Sequence, residues 1–407
     1  LCDAGLDSAR AEGNGCSGTN ATAARTVPDE TREAGRRTLP MRDFVYEPAA
    51  NRVVFGAGAA RSRLSAELDR LGAGRVFVIT GNSSPDAVAA ILGPLGDRVI
   101  ATFRGVQPHV PVAVAARVRT EVADADADCL LSIGGGSATG TAKAAALTSR
   151  LPIVAVPTTY AGSEVTAVWG LTDAGRKKTG TDPVVLPRTV IYDPELTVSL
   201  PTELTAASGL NAMAHSVEAF WAPGRNPVTS VLAAAAVLAL RTGLTAVVAD
   251  GTDLDAQAEV LYGAYLAASS FAVTGSGLHH KICHVLGGAF DLPHAQTHAI
   301  VLPHVLAFNA PYAPEAARAL AEAFGRPDAV AGLRALTAQL GIPRGLRDLG
   351  MPVSGIDEAA GLIEPAIPAD NPRPVSRADL VRLLQDAWSG TATPSVDNQP
   401  SQRPPAQ

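Results

Sequence analysis

"DCLLSIGGGSATGTAKAAAL", residues 128–147, decides the fold. It opens on an apolar run of the kind carried by a strand covered on both faces, passes through three glycines and a serine, and continues as an Ala-rich stretch with helical character. A strand that turns through glycines straight into a helix is the repeating unit of a parallel α/β sheet. Glycines in such a turn let backbone N–H groups approach a pyrophosphate, and the helix start adds a favourable dipole. Gly134, Gly135, Gly136 and Ser137 are therefore candidate cofactor-binding residues. A purely structural tight turn explains a triple glycine equally well, and the spacing is not that of the usual dinucleotide fingerprint.

Working outward, Val/Ile-rich runs alternate with Ala-rich helical stretches: "RVVFG" (52–56), "RVFVIT" (75–80), "RVIATF" (98–103), "PIVAVPTT" (152–159) and "TVIYD" (189–193). The alternation predicts βαβ units and a mostly parallel sheet. Two more strand ends carry groups suited to a ligand: Thr158, Thr159 and Ser163 in "VPTTYAGSE", and Gly81, Asn82 and Ser83 in "VITGNSS". Ligands of open α/β sheets bind beyond the carboxyl ends of strands, so these loops and the glycine loop are expected to converge. The strand before Gly81 ends without a carboxylate to repel a 2′-phosphate, which leaves NADH and NADPH both open as cofactors.

Beyond "DPELTVSLP" (193–201) strand signals stop. Helices are expected near 202–221, 227–249, 254–289, 313–324, 328–340, 355–364 and 376–388. The organisation read from this is α/β plus all-α: an α/β dinucleotide-binding domain over 41–198 and an all-helical domain over 199–388, with the functional cleft between them. The polar, aperiodic residues 1–40 read as a disordered leader that is not native, with Met41 as the start. Residues 389–407 are Pro/Ser/Gln-rich and read as a disordered tail.

Apolar residues are 47% and charged ones 18% of 407 residues, which describes a folded globular chain. The net charge of -6 gives no electrostatic case for nucleic acid or an anionic membrane, so a small molecule is the expected partner. The longest apolar run, "SVLAAAAVLAL" (230–240), is too short to span a bilayer and reads as a buried helix. None of the four cysteines has the spacing of a zinc knuckle or redox pair, which fits a reducing, cytoplasmic setting.

Two segments of the helical half carry chemistry. "GLNAMAHSVEAFW" (209–221) sets Asn211 and His215 four positions apart, about 40° around a helix axis and one turn from each other. "GLHHKICHVLGGAFDLPHAQTH" (277–298) sets His280 and His284 at the same spacing, with His294 beyond a Gly-Gly break. Only eight histidines occur in the chain, and four lie between 279 and 294. A scarce, titratable residue clustered in this way marks a candidate metal or proton-transfer site.

Taken in order, GGGS-x-x-x-x-A-K (134–143), P-T-T-x-x-G-S-E (157–164), G-x-x-A-x-x-H-x-x-E-A (209–219) and the H-x-x-x-H before "GGAFDLPH" resemble the iron-containing (group III) alcohol dehydrogenases. The resemblance implies an N-terminal dinucleotide-binding domain, a C-terminal helical domain, a nicotinamide cofactor and a homodimer. It also carries the metal-ligand positions onto Asn211, His215, His280 and His294. The family's metal-dependent members have Asp where this chain has Asn211, and another Asp where it has Gly140. These departures, with "HVPV" (109–112) and "GRKKTGTDPVVLPRTVIYDPELT" (175–197), resemble a branch whose members reduce the carbon–carbon double bond of maleylacetate, a small dicarboxylate. On this reading the metal is absent, its positions are vestigial, and His284 or His294 protonates the substrate with His280, His215 and Asn211 beside them. Arg176, Lys177 and Lys178 are candidates to meet the substrate's charge. Two readings stay open: a metal-dependent alcohol or aldehyde dehydrogenase with Asn211 as a ligand, and a dehydroquinate synthase-like lyase.

Overall fold

The computed structural model describes residues 43–173 and 176–391. The leader read at 1–40 and the tail from 392 lie outside the described residues, as do the side chains of Arg176 and Lys177. From Val45 onward the described residues belong to one compact unit.

The first half runs β1 (Arg52–Phe55), α1 (Ala59–Leu71), β2 (Val76–Thr80), α2 (Pro85–Leu92), β3 (Val99–Phe103), α3 (Val112–Asp124), β4 (Cys129–Gly134), α4 (Gly136–Ser149) and β5 (Ile153–Pro157). A hairpin of β6 (Val168–Asp173) and β7 (Arg176–Thr181) follows, then β8 (Thr189–Tyr192). All six expected strands form one sheet in the order β1-β8-β5-β4-β2-β3, and every pairing in it is parallel. Every residue of β2, β4 and β5 is buried, which is why their sequences are unbroken apolar runs without alternation. Because β3 lies on one side of β2 and β4 on the other, the chain direction reverses between β2 and β4. That places a topological switch point between the Gly81 loop and the glycine loop.

The antiparallel β6–β7 hairpin was not legible in the sequence. Its polar composition, "RKKTGT" in β7, reads as a solvated turn, and its pairing is fixed by a neighbour: Pro111, at the start of α3, bridges Thr172 of β6.

The second half holds α5 (Thr202–Ala219), α6 (Pro227–Ala249), α7 (Leu254–Thr274), α8 (Leu278–Phe290), α9 (His294–Asn309), α10 (Pro314–Phe324), α11 (Ala329–Gln339), α12 (Gly355–Ile363) and α13 (Arg377–Ser389). The helix expected over 254–289 is two helices, because Gly275, at positive φ, ends α7 and the chain re-enters a helix only after Gly277. The break expected at Gly287–Gly288 lies instead at Asp291–Pro293, after α8. Helix α9 was missed because, apart from the half-buried His304 and Ala307, it is buried from Thr297 to Asn309 with Pro303 inside it, so it shows no amphipathic period.

Helix α5 is the axis of this half. It is buried from Thr205 to Ala219 and packs against α6, α7 and α9. Its small residues permit that: a Cβ on Gly209 would stand 2.4 Å from the Leu244 side chain of α6. Helix α6 starts on an Asn226–Thr229 capping box, a feature worth about 1 kcal/mol. By length and composition α6 is long enough to cross a membrane, yet it packs against α5, α7 and α10, with Val231 and Leu238 exposed.

Candidate active site

Three loops meet where the sheet order reverses. The Gly81 N–H donates to Ile133 O (3.0 Å), and the Thr158 N–H donates to Gly134 O (3.1 Å). Ser83 Oγ lies 3.5 Å from Thr158 Oγ1. Glycine is required sterically at two of these positions. Gly134 has φ of +148° and a Cβ there would meet Ala138 at 2.8 Å, while a Cβ on Gly135 would meet Thr159 at 2.9 Å. The first turn of α4 has no side-chain cap; the N–H groups of Ala138 and Thr139 turn back to Gly135 O, which leaves those of Gly136 and Ser137 for a ligand phosphate. The structure thus brings Gly81, Ser83, Gly134, Gly135, Gly136, Thr158 and Thr159 around one cradle. Asn82 is exposed at its rim, and Ser163 starts a short 3₁₀ turn further along its loop.

The lysine and glutamate of the two glycine-associated motifs do something else. Lys143 is fully buried and its Nζ donates to Thr166 O (2.8 Å), Thr166 Oγ1 (3.2 Å) and Val168 O (2.7 Å). Burial pulls its pKa down to about 7, against the opposing pull of Glu164. Glu164 is buried in turn, accepts from Tyr192 Oη (2.7 Å), and is pushed up by its desolvation. Lys143 thus ties the loop after β5 to α4, and Glu164 ties it to β8.

The histidine chamber lies in the helical half. Helix α5 supplies Asn211, His215 and Glu218, α8 supplies His279, His280, Cys283 and His284, and α9 supplies His294 and His298. His215 stacks on His280 with ring centroids 5.0 Å apart and an interplanar angle of 12°, and Phe271 packs against both. Gly162 makes room for that pair: a Cβ there would lie 3.3 Å from His215 Cε1.

Glu218 is a chamber residue that sequence reasoning missed, although the family-like motif contains it. Its carboxylate is fully buried and accepts from the N–H of Gly277 (2.8 Å) and of His279 (2.6 Å), at the start of α8. It also lies 2.5 Å from His280 Nδ1. That bond leaves His280 Nε2 as the ring atom turned away from the carboxylate, and Nε2 has no protein partner. Asn211 Oδ1 and His215 Nδ1 are likewise buried without one. A buried polar atom without a partner costs about 1–3 kcal/mol, so three together mark a place where something else binds.

An iron ion does not fit these residues as they stand. The four positions hold no carboxylate, and the His215 and His280 rings are stacked in nearly parallel planes, whereas an ion shared by their in-plane lone pairs would have to lie in both planes at about 2 Å from each nitrogen. His294 groups with His298 (ring centroids 4.3 Å) and His284 (6.3 Å). Gly140, where the metal-dependent pattern has Asp, faces Val110: a Cβ would stand 2.9 Å from its Cγ2. A different set, His279, Cys283 and His298, has ligand atoms within 4.8 Å of one another, with His279 Nε2 and His298 Nδ1 hydrogen-bonded at 2.9 Å. Burial first, and neighbouring histidines second, hold His215, His279 and His298 well below the ordinary imidazole range. These three are neutral near pH 7.

A cavity of about 90 Å³ opens beside the chamber, lined by Cys283, His284, Asp291 and His294 from the helical half and by His109 and Thr172 from the α/β half. Lys178, expected to face an anionic ligand, is exposed and is not among the described residues that line this cavity.

Two family models match the chain: "iron-containing alcohol dehydrogenase" over residues 50–194 and "Fe-containing alcohol dehydrogenase family, C-terminal" over 205–388. The maleylacetate reductase of Sphingobium indicum is 46% identical over 347 residues, covering 85% of this chain and 98% of the relative. Maleylacetate reductase 2 of Cupriavidus pinatubonensis is 48% identical over 356 residues, covering 87% and 99%. Among solved structures, an iron-containing alcohol dehydrogenase from Corynebacterium glutamicum superposes with a TM-score of 0.83 at 50% identity, covering 85% of this chain and 97% of that one. The maleylacetate reductase from Agrobacterium tumefaciens superposes with 0.82 at 41% identity, covering 86% and 99%.

Proposed function

The chain belongs to the iron-containing alcohol dehydrogenase family, and from that premise we propose that it is a maleylacetate reductase, an NAD(P)H-dependent oxidoreductase that converts maleylacetate to 3-oxoadipate. The observation that carries this is the donor set at the family's metal positions: a neutral amide at Asn211, parallel rings at His215 and His280, and no carboxylate.

The chemistry tolerates that set. Reduction of an isolated ketone builds an alkoxide, a strongly basic oxyanion that a Lewis acid stabilises well. Reduction of an alkene conjugated to a ketone builds an enolate, whose charge is spread over oxygen and carbon, and hydrogen-bond donors can hold it. When bound, the reduced nicotinamide supplies hydride to the alkene carbon beside the distal carboxylate. The π electrons move onto the ketone oxygen, and His284 or His294 delivers the proton to the carbon next to the ketone, with solvent restoring the histidine. His215 is neutral and acts through hydrogen bonding. Glu218 fixes the orientation of His280, and Asn211 offers its amide N–H as a donor beside it. No step here uses a metal.

The glycine cradle would hold the cofactor, the backbone N–H groups at the α4 start meeting its pyrophosphate. NADH and NADPH both fit a strand end without a carboxylate. Under the same reading the division is 41–198 and 199–388, and the enzyme is a cytoplasmic homodimer whose partner is a small dicarboxylate rather than nucleic acid or membrane. The test is nicotinamide oxidation with maleylacetate, compared with simple aldehydes and repeated in chelator. Turnover of maleylacetate that survives chelation supports the proposal. Turnover confined to aldehydes and lost in chelator restores the metal-dependent dehydrogenase reading.

A further inference from the structure

The turn "QPHVPV" (107–112) holds two consecutive side-chain-bearing residues in a backbone region that favours glycine. His109 has φ of +59° and Val110 φ of +50°, the only consecutive positive-φ residues among the described non-glycine ones, and Val110 is β-branched. Side chains pay for such conformations with about 1–3 kcal/mol each, and a glycine at position 109 would make the same turn without strain. The turn is nevertheless held from two sides. Thr172 of β6 donates its Oγ1 to His109 O (2.8 Å) and its N–H to Val110 O (3.1 Å). Val110 is buried and seated on Gly140 of α4.

What this clamp presents is the His109 ring. It lines the cavity opposite His284, and its centroid lies 6.3 Å from that of His294 in an edge-on arrangement. The described residues lining the cavity include no lysine or arginine, and they include Asp291. Among the described lining residues, the groups that can meet a dicarboxylate are imidazole, hydroxyl and backbone donors. Backbone strain kept in place by a dedicated clamp, at the mouth of a functional cavity, is what a substrate-contacting side chain explains and a simple turn does not.

We infer that His109 contacts the substrate, its ring donating a hydrogen bond to a carboxylate of the bound dicarboxylate from the α/β side of the cavity. The inference rests on the maleylacetate reading above. It also gives the β6–β7 hairpin a role, since Thr172 positions the residue that recognises the substrate.

His109→Gly separates the ring from the turn, because glycine keeps the backbone conformation and removes only the imidazole. Three measurements are made on wild type and variant: melting temperature, NADH affinity by fluorescence titration, and KM and kcat for maleylacetate. The expected result is a melting temperature equal to or above wild type, NADH affinity within about twofold, and KM for maleylacetate raised roughly 10- to 100-fold, the effect of losing a hydrogen bond to a charged group. His109→Asn, which tolerates positive φ and retains an N–H donor, is expected to recover part of the loss. A His109→Gly enzyme whose KM and kcat stay within about twofold of wild type overturns the inference. So does one that loses stability and NADH affinity together, which would make the ring a structural element. Wild-type protein that does not turn over maleylacetate removes the substrate reading itself, and this inference with it.

Discussion

The glycine cradle and the histidine chamber solve opposite problems. The cradle is made of backbone: glycines bring main-chain N–H groups and neighbouring turns so close that a Cβ at Gly134 or Gly135 would collide, and it needs no charged side chain. The chamber is made of side chains brought from three helices, so deeply buried that three of its histidines are held well below the ordinary imidazole range. Backbone recognition tolerates change anywhere except at the glycines. A side-chain chamber depends on every member, including residues such as Glu218 that only orient another.

The sharpest way to separate the two regions is to remove a proton donor. His284→Ala or His294→Ala is expected to lower kcat with maleylacetate by about 10²- to 10⁴-fold, the usual worth of general acid catalysis, with NADH affinity unchanged. Wild-type turnover in both variants breaks the assignment of proton transfer to the chamber.

Next in size is acid sensitivity, which belongs to the chamber alone. His215, His279 and His298 have folded-state pKa values depressed below the unfolded value near 6.5. The stability they contribute is therefore present above about pH 6.5 and lost as pH falls below it, because the unfolded chain then binds protons the folded one refuses. The slope approaches about 1.4 kcal/mol per pH unit for each histidine. Urea denaturation at pH 7 and pH 5.5 should show the loss, and a flat profile would mean that these rings take up protons in the fold.

Glu218→Gln comes third. The amide offers one acceptor oxygen where the carboxylate accepts from Gly277, His279 and His280, so a loss of about 1–3 kcal/mol in unfolding free energy is expected. A neutral outcome would show that His280 does not depend on it. The smallest effect sharpens the cradle: Gly135→Val, pressed against Thr159, should weaken NADH binding about tenfold with little change in the pH dependence of stability.

Much of this was readable from the sequence, and the reasons for the rest are physical. All six sheet strands were legible because strands covered on both faces are written as continuous apolar runs. Helix α9 was not, because burial on every side erases the period that reveals a helix, and the β6–β7 hairpin was not, because a polar, half-exposed pair carries no such run. In the chamber, the scarcity of histidine drew attention to His215, His280, His284 and His294; His298, four positions beyond His294 in the same quoted stretch, was passed over, and no spacing announced that His109 arrives from the other half of the chain. Glu218 stood in a quoted motif without a role, since an i,i+3 relation to His215 gives no hint that its carboxylate caps a different helix.

The central claim is that imidazoles and an amide, not a bound cation, hold the developing enolate. Its most direct test is the steady-state rate of maleylacetate reduction by protein exhaustively treated with chelator, with residual iron and zinc quantified in the same sample. The account predicts full activity at metal contents far below one ion per chain. Activity that vanishes with the metal and returns in proportion to added iron would contradict it.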